Sequence, residues 1–169
     1  MSEVWRAALL GLGSNLGDRL ATLRSATAAL AASAGVRAVR ASSVWASAPM
    51  GEAARFEFLN AALALETNLA PRALLALALA VEQAHGRVRA ERWGPRTLDI
   101  DILWLDGLAV DAPGLTVPHP GLAQRGFVLR PVAELAPALV LPDGRSVAQA
   151  AEELNDDACV RVPGAQLGG

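Results

Sequence analysis

The segment FEFLNAALALET, residues 56–67, alternates between two kinds of side chain with the two-residue period of a β-strand. One face is aliphatic and consists of Leu59, Ala61, Leu63 and Leu65. The other face carries Phe56, Phe58 and Asn60, which combine aromatic rings with an amide. The pattern predicts a strand whose first face is buried in the core, and we expect the second face to lie outside the core.

The flanking segments make this strand the third in a βαββαβ order. Residues 4–12 are typical of a strand, and the turn GLGSNLGDR that follows leads into leucines at helical spacing. Residues 36–47 predict a second strand, residues 71–86 a helix that opens with proline and closes with glycine, and residues 98–105 another strand. This order predicts an α+β, ferredoxin-like sandwich, with an antiparallel or mixed sheet and helices on one face.

The C-terminal third is expected to add short elements to this sandwich. GFVLRP and ALVLP resemble extra strands, and PDGR is a turn. Ser146 and Gln149 form the pattern of a capping box for a helix with the sequence VAQAAEELN. We expect residues 163–169 to be a frayed tail and, because no repeat or linker is visible, residues 1–169 to form a single domain.

The composition excludes several classes of protein. All 15 basic residues are arginine, and the formal net charge is −2, so there is no global basic field for a long nucleic acid. Without lysine, neither a P-loop nor a pyridoxal Schiff base can form. Cys159 is the only cysteine, and no signal peptide or membrane-spanning stretch is apparent, so we expect a cytoplasmic protein.

Two aspartates lie two residues apart in the strand RTLDIDILW. Asp99 and Asp101 therefore leave the same face, while Ile100 and Ile102 point to the core. A shared divalent cation, with Mg²⁺ favoured by oxygen ligands, would compensate their mutual repulsion. A solvated acidic face on an edge strand is the alternative that this pattern leaves open.

The segment before this strand is rich in arginine. Arg87, Arg89, Arg92 and Arg96 fall within ten residues that also contain Trp93. Guanidinium groups bind phosphate in a bidentate manner, so four of them beside a Mg²⁺ site indicate a polyphosphate clamp. The alternative is a solvated loop that pairs with nearby acids.

Other motifs carry weaker signals. GLGSNLGDR is either a phosphate cradle or, more simply, a tight turn with Ser14 or Asn15 as the helix cap and Asp18 placed against the helix dipole. His119 lies between two prolines, which favours a fixed side chain or merely a rigid turn. His85 is expected only to cap the helix that ends at Gly86.

Together, four motifs resemble the 6-hydroxymethyl-7,8-dihydropterin pyrophosphokinase family of folate biosynthesis. They are GLGSNLGDR, FLNAALALET, GRVRAERWGPRTLDIDIL and VPHPGLAQRGFVLRPVAELAP, and they cover roughly residues 4–142. The resemblance implies a ferredoxin-like fold, ATP as co-substrate, two Mg²⁺ ions, and transfer of pyrophosphate to the pterin hydroxymethyl group with release of AMP. Nothing after Leu141 could be matched.

The resemblance also implies roles for individual residues. Asp99 and Asp101 match the metal-bridging aspartates, and the catalytic loop and phosphate contacts are matched by Arg87, Arg92, Trp93 and Arg96. Pterin-binding positions are matched by Phe58, Asn60 and Phe127; tyrosine is frequent at the first of these, so a hydroxyl contact is lost. ATP-side positions are matched by Glu82, Arg96, Thr116, His119 and Arg125.

Two other functions are consistent with parts of the sequence. A metal-dependent nuclease could use the aspartate pair, but it would usually need further acidic ligands and a basic track. A regulatory module could share the fold, but it would have no use for four arginines beside a metal site. We therefore expect a monomeric enzyme whose partners are ATP and the pterin, with neither nucleic acid nor membrane bound.

Overall fold

The computed structural model describes residues 3–47, 57–86, 97–154 and 159–168. In chain order, the helices and strands within these ranges are β1 (Arg6–Ser14), α1 (Arg19–Ala31), β2 (Val36–Ala41), β3 (Trp45–Ser47), β4 (Phe58–Thr67), α2 (Pro71–Ala84), β5 (Asp99–Leu105), β6 (Val110–Ala112), β7 (Leu115–Val117), α3 (Gly126–Leu135), α4 (Val147–Glu153) and β8 (Cys159–Arg161). None of these helices is both long and apolar enough to cross a membrane.

The main sheet confirms the predicted βαββαβ order. Its strands lie in the order β5-β1-β4-β3-β8, β2 also pairs with β4, and every pairing is antiparallel. The strand predicted over residues 36–47 is interrupted between β2 and β3. There the Ser42 backbone N–H donates to the Ala62 carbonyl at 2.9 Å, and the Ser42 hydroxyl accepts from the Ala62 N–H at 2.8 Å. This exchange keeps both halves of the broken strand against β4.

Helices cover both faces of the sheet, which corrects the expectation of helices on one face. The aliphatic face of β4 packs on α1 and α2, as predicted. The opposite face is also buried where Ala62 and Leu103 meet Val128, Leu129 and Val132 of α3. The second face of β4 is therefore a core face over part of its length, contrary to expectation.

The helix α3 replaces the strand predicted for GFVLRP. The segment contains Phe127 and Val128, which favour strands, and Pro131, which disfavours a helix interior but lies inside α3. Val128, Leu129 and Val132 lie three and four residues apart, so they form one buried helical stripe, and packing outweighs local propensity. ALVLP is not a strand either, because only Val140 makes an isolated bridge, to Ser146.

The helix ends were predicted in part. Pro71 begins α2 and Gly86, with φ of 79°, follows its end, as expected. Asp18, rather than Ser14 or Asn15, caps α1 by accepting from the Ala21 N–H at 3.1 Å.

The helix α4 and the C-terminal segment also differ in detail from the expectations. Ser146 caps α4 through the Gln149 N–H, but the Gln149 side chain donates to Glu153, so the capping box is not reciprocal. The segment expected to fray from residue 163 is packed instead, because Ala165 and Leu167 are buried in the α1/α2 core.

We predict that α3 stabilises the fold as a core helix. Leu129 is fully buried, so Leu129→Ala should lower the free energy of unfolding by about 2–5 kcal/mol, as cavity-forming substitutions do. Urea unfolding measures this, and Val140→Ala at a largely exposed position is the matched control. Equal, small effects of the two substitutions would contradict the assignment of α3 to the core.

Candidate active site

Six of the residues singled out from the sequence line one pocket. It opens on the α3 side of the sheet and is lined by Phe58, Asn60, Asp99, Asp101, Arg125 and Phe127. These residues come from β4, β5 and the beginning of α3, which are distant in sequence. The fold therefore combines an acidic pair, an amide, a guanidinium group and two phenyl rings at one place.

The register of three neighbouring strands sets the floor of this pocket. Gly13 of β1 is paired with Asp99 on one side and with Asn60 on the other, and Gly11 is paired with Asp101. A Cβ atom at Gly13 would lie 3.3 Å from Oδ1 of Asn60 and 3.5 Å from the Phe58 ring. Glycine at position 13 therefore leaves the space between the acidic pair and the amide open.

Gly11, Gly13 and Ser47 also line the pocket and were missed as site residues. The two glycines lie within β1, so this part of GLGSNLGDR is neither a phosphate cradle at a helix terminus nor the tight turn we expected. Two glycines spaced by two in a strand share one face and leave it without side chains, which is the signal that could have identified them. No comparable signal marked Ser47.

The aspartate pair has the predicted geometry. Asp99 and Asp101 lie on the pocket face of β5, and Ile100 and Ile102 are buried in the core on the other face. Within the described ranges, no third histidine, cysteine or acidic side chain completes a metal-binding cluster with them. An open site with two carboxylates suits Mg²⁺, which commonly keeps water and substrate phosphates among its ligands.

His119 lies beside this pair. Its backbone N–H donates to the Leu103 carbonyl at 2.9 Å, and Nε2 is 4.0 Å from Oδ1 of Asp101. The Gly121 N–H donates to Nδ1 at 2.9 Å, so the neutral ring carries its proton on Nε2, on the side of Asp101. Burial and the positive charge of Arg125 lower the pKa of His119, and Asp99 partly opposes them.

Arg125 and Phe127 are placed by the start of α3. Arg125 is the residue before the first turn, and its guanidinium group lies 5.7 Å from the centre of the Phe127 ring. A Cβ at Gly121 would be 3.2 Å from both the Arg125 side chain and Nδ1 of His119. This close packing holds the arginine and the histidine near each other.

Two ATP-side residues within the described ranges, Glu82 and Thr116, do not line the pocket. Glu82 is 2% exposed on α2, which packs on the opposite face of the sheet, and its carboxylate accepts from the Ile100 N–H at 2.8 Å. Thr116 is exposed on the small β6–β7 hairpin, where it is paired with Asp111. Four of the predicted catalytic and ATP-side residues lie outside the described residues: Arg87, Arg92, Trp93 and Arg96.

We predict that the His119 ring titrates below the usual range for histidine. Burial disfavours the imidazolium, and protonation of Nδ1 would also break its hydrogen bond from Gly121. NMR titration of the ring nitrogens should show this, with His119→Gln to assign the signals. Arg125→Ala should raise the midpoint, and an unchanged midpoint in that variant would exclude the arginine charge as a cause.

Comparison with known proteins identifies a family. Residues 9–137 match the family described as 7,8-dihydro-6-hydroxymethylpterin-pyrophosphokinase (HPPK). The chain is 45% identical over 155 residues to 2-amino-4-hydroxy-6-hydroxymethyldihydropteridine pyrophosphokinase of Methylorubrum extorquens, covering 92% of this chain and 98% of the relative. The enzyme of the same name from Pseudomonas aeruginosa is 43% identical over 156 residues, covering 92% and 96%.

Solved structures agree on the fold. The crystal structure of a Plasmodium falciparum HPPK-DHPS triple mutant with SDX-DHP superposes with a TM-score of 0.72 and 13% identity, covering 95% of this chain. This chain spans 45% of the length of that one. The fold, the pocket and the nearly full-length relatives together lead to one assignment: the chain belongs to the 7,8-dihydro-6-hydroxymethylpterin-pyrophosphokinase family.

Proposed function

We propose that this chain transfers the pyrophosphoryl group of ATP to the hydroxymethyl group of 6-hydroxymethyl-7,8-dihydropterin, giving the pterin diphosphate and AMP in folate biosynthesis. The proposal rests on one observation, which is that two carboxylates, an amide and two phenyl rings line the same pocket. One end of such a pocket suits a metal-bound polyphosphate, and the other suits a flat polar ring. An ATP-dependent diphosphotransferase needs both ends at once.

The pterin is proposed to bind between Phe58 and Phe127, with its edge toward Asn60. Phenyl rings from β4 and α3 offer apolar faces to a planar heterocycle. Asn60 is buried, so its amide gives directional hydrogen bonding away from bulk water. Phe58 has no hydroxyl, so its contribution to binding is limited to stacking.

The polyphosphate is proposed to bind at the other end of the pocket, where Asp99 and Asp101 would hold two Mg²⁺ ions. Mg²⁺ bound there would neutralise phosphate charge and lower the pKa of the attacking hydroxyl group. The chain's own part is to fix the backbone positions of both aspartates, which it does by pairing Asp99 with Gly13 and Asp101 with Gly11 of β1. Because phosphoryl-type transfer depends on position and charge neutralisation, no nucleophilic side chain is needed.

The triphosphate contacts are proposed for His119 and Arg125. The Nε2–H of His119 is oriented toward the acidic pair, and Arg125 brings a guanidinium group to the pocket wall. Arg125 would thus bind developing negative charge in the transition state. The family resemblance assigns the same work to Arg87, Arg92, Trp93 and Arg96 around the phosphates.

The resemblance also assigns ATP contacts to Thr116 and Glu82. Thr116 is accessible on its hairpin. For Glu82, its hydrogen bond to the Ile100 N–H supports a role in fixing β5 between the two aspartates. We further propose a monomeric cytoplasmic enzyme, whose partners are the two small substrates and not nucleic acid or a membrane.

The identity of the products tests the proposal directly. Incubation with ATP, Mg²⁺ and 6-hydroxymethyl-7,8-dihydropterin should give AMP and the pterin diphosphate in equal amounts, as measured by chromatography. ADP with a pterin monophosphate would overturn it. Cleavage of an oligonucleotide without pterin would favour a nuclease, and the absence of any turnover would favour a regulatory module.

We predict that Asp101→Ala lowers kcat by at least ~10²-fold at saturating Mg²⁺, because an electrostatic group acting in the transition state is lost. The exposed Asp106, just after the same strand, provides the control Asp106→Ala, which should retain activity. Thermal unfolding should confirm that both variants are folded. Near-normal turnover in Asp101→Ala would refute the proposed metal site.

A further inference from the structure

The Asn60 side chain has a fixed orientation in the protein. Its Nδ2 donates to the Ser47 hydroxyl oxygen at 2.7 Å and to the Trp45 backbone carbonyl at 3.3 Å. A carbonyl can only accept, so the nitrogen of the amide, and not its oxygen, must face β3. Both N–H groups of Asn60 are therefore used inside the protein.

The amide oxygen consequently faces away from β3. It lies above the pocket floor, since a Cβ at Gly13 would be 3.3 Å from Oδ1. Within the described parts of the chain, no group donates a hydrogen bond to this oxygen. This oxygen is not fully buried and is open to the pocket, so it is suited to receive an N–H from a ligand.

The groups that orient Asn60 are themselves held in place. Ser47 is 8% exposed and lines the pocket, at the end of the short strand β3. The indole N–H of Trp45 donates to Glu134 of α3 at 3.0 Å, and the other carboxylate oxygen of Glu134 accepts from the Ser43 N–H at 2.7 Å. The contacts of Glu134 in α3 with Ser43 and Trp45 therefore hold the segment that orients the Asn60 amide.

We propose that Ser47 is a positioning residue that, together with the Trp45 carbonyl, makes Asn60 a hydrogen-bond acceptor only, so that the pocket selects heterocycles presenting an N–H donor at this edge. The inference rests on the proposed function and deepens it. A dihydropterin meets the requirement because its pyrimidine ring carries amide-like N–H donors.

Variants at position 47 test this role through ligand selectivity. Ser47→Ala should weaken binding of 6-hydroxymethyl-7,8-dihydropterin about tenfold, the equivalent of one hydrogen bond, and raise its KM with little effect on kcat. Affinity for an unreactive ATP analogue with Mg²⁺ should not change. Ser47→Thr keeps the hydroxyl group and should restore pterin affinity.

The matched control is Ser42→Ala, another buried serine on the same edge of β4, whose hydroxyl accepts from the Ala62 N–H and which does not itself line the pocket. It should not reduce pterin affinity selectively. Unchanged pterin affinity in Ser47→Ala, or equal losses in Ser47→Ala and Ser42→Ala, would overturn the positioning role.

A second measurement needs neither ligand nor a folded Ser47→Ala variant. In wild-type protein, the side-chain amide hydrogens of Asn60 should exchange at least about tenfold more slowly than those of the exposed Gln124. The reason is that both amide hydrogens of Asn60 are hydrogen-bonded within the protein. Equal rates would overturn the inference. Failure of the wild type to bind the pterin, together with slow Asn60 exchange, would instead overturn the proposed function and leave the orientation of the amide established.

Discussion

Backbone pairing among β5, β1 and β4 is the constraint on which the site depends. It places Asp99, Gly13 and Asn60 in one row across three strands, and Trp45 of β3 continues the row. Side chains in such a row leave the same face of the sheet. Because the pairing is made by main-chain hydrogen bonds, it fixes the backbone positions of the acidic pair and of Asn60 relative to one another. The glycine between them keeps that face open.

The second face of the sheet becomes a site because α3 covers only part of it. Leu129 and Val132 of α3 are buried against the sheet, and Phe127 at the start of the helix forms a wall of the pocket. Glu134, later in the same helix, binds the Ser43 N–H and the Trp45 indole. One helix therefore closes the core, supplies an aromatic wall and anchors the strand that orients Asn60.

Local patterns in the sequence predicted the strands and the faces that their side chains share. The features that these patterns missed depend on tertiary packing. The two-residue alternation around Asn60 and Asp99 was sufficient to predict strands and the shared face of the aspartates. The buried apolar residues of α3 were not recognised as a helical stripe, because the segment contains β-branched residues and a proline. Local propensity does not include burial of a helix against a sheet. Ser47 was missed for a similar reason, since its role depends on an amide 13 residues away. The buried position of Glu82 likewise follows from the packing of α2, which the family resemblance alone does not describe.

The row of residues across the strands also fixes a distance within the site. Neighbouring strands are about 4.8 Å apart, so the two steps from Asp99 to Asn60 fix a span of roughly 10 Å between the backbone positions of the carboxylate proposed to hold the metal and the amide proposed to bind the ring. Substitutions can change what is recognised at either end, but they cannot stretch a distance set by main-chain pairing. Under the proposed function, this span limits the distance between the ring edge of the substrate and its attacking hydroxyl oxygen. An alcohol on a longer arm would therefore be misplaced even if its ring bound perfectly.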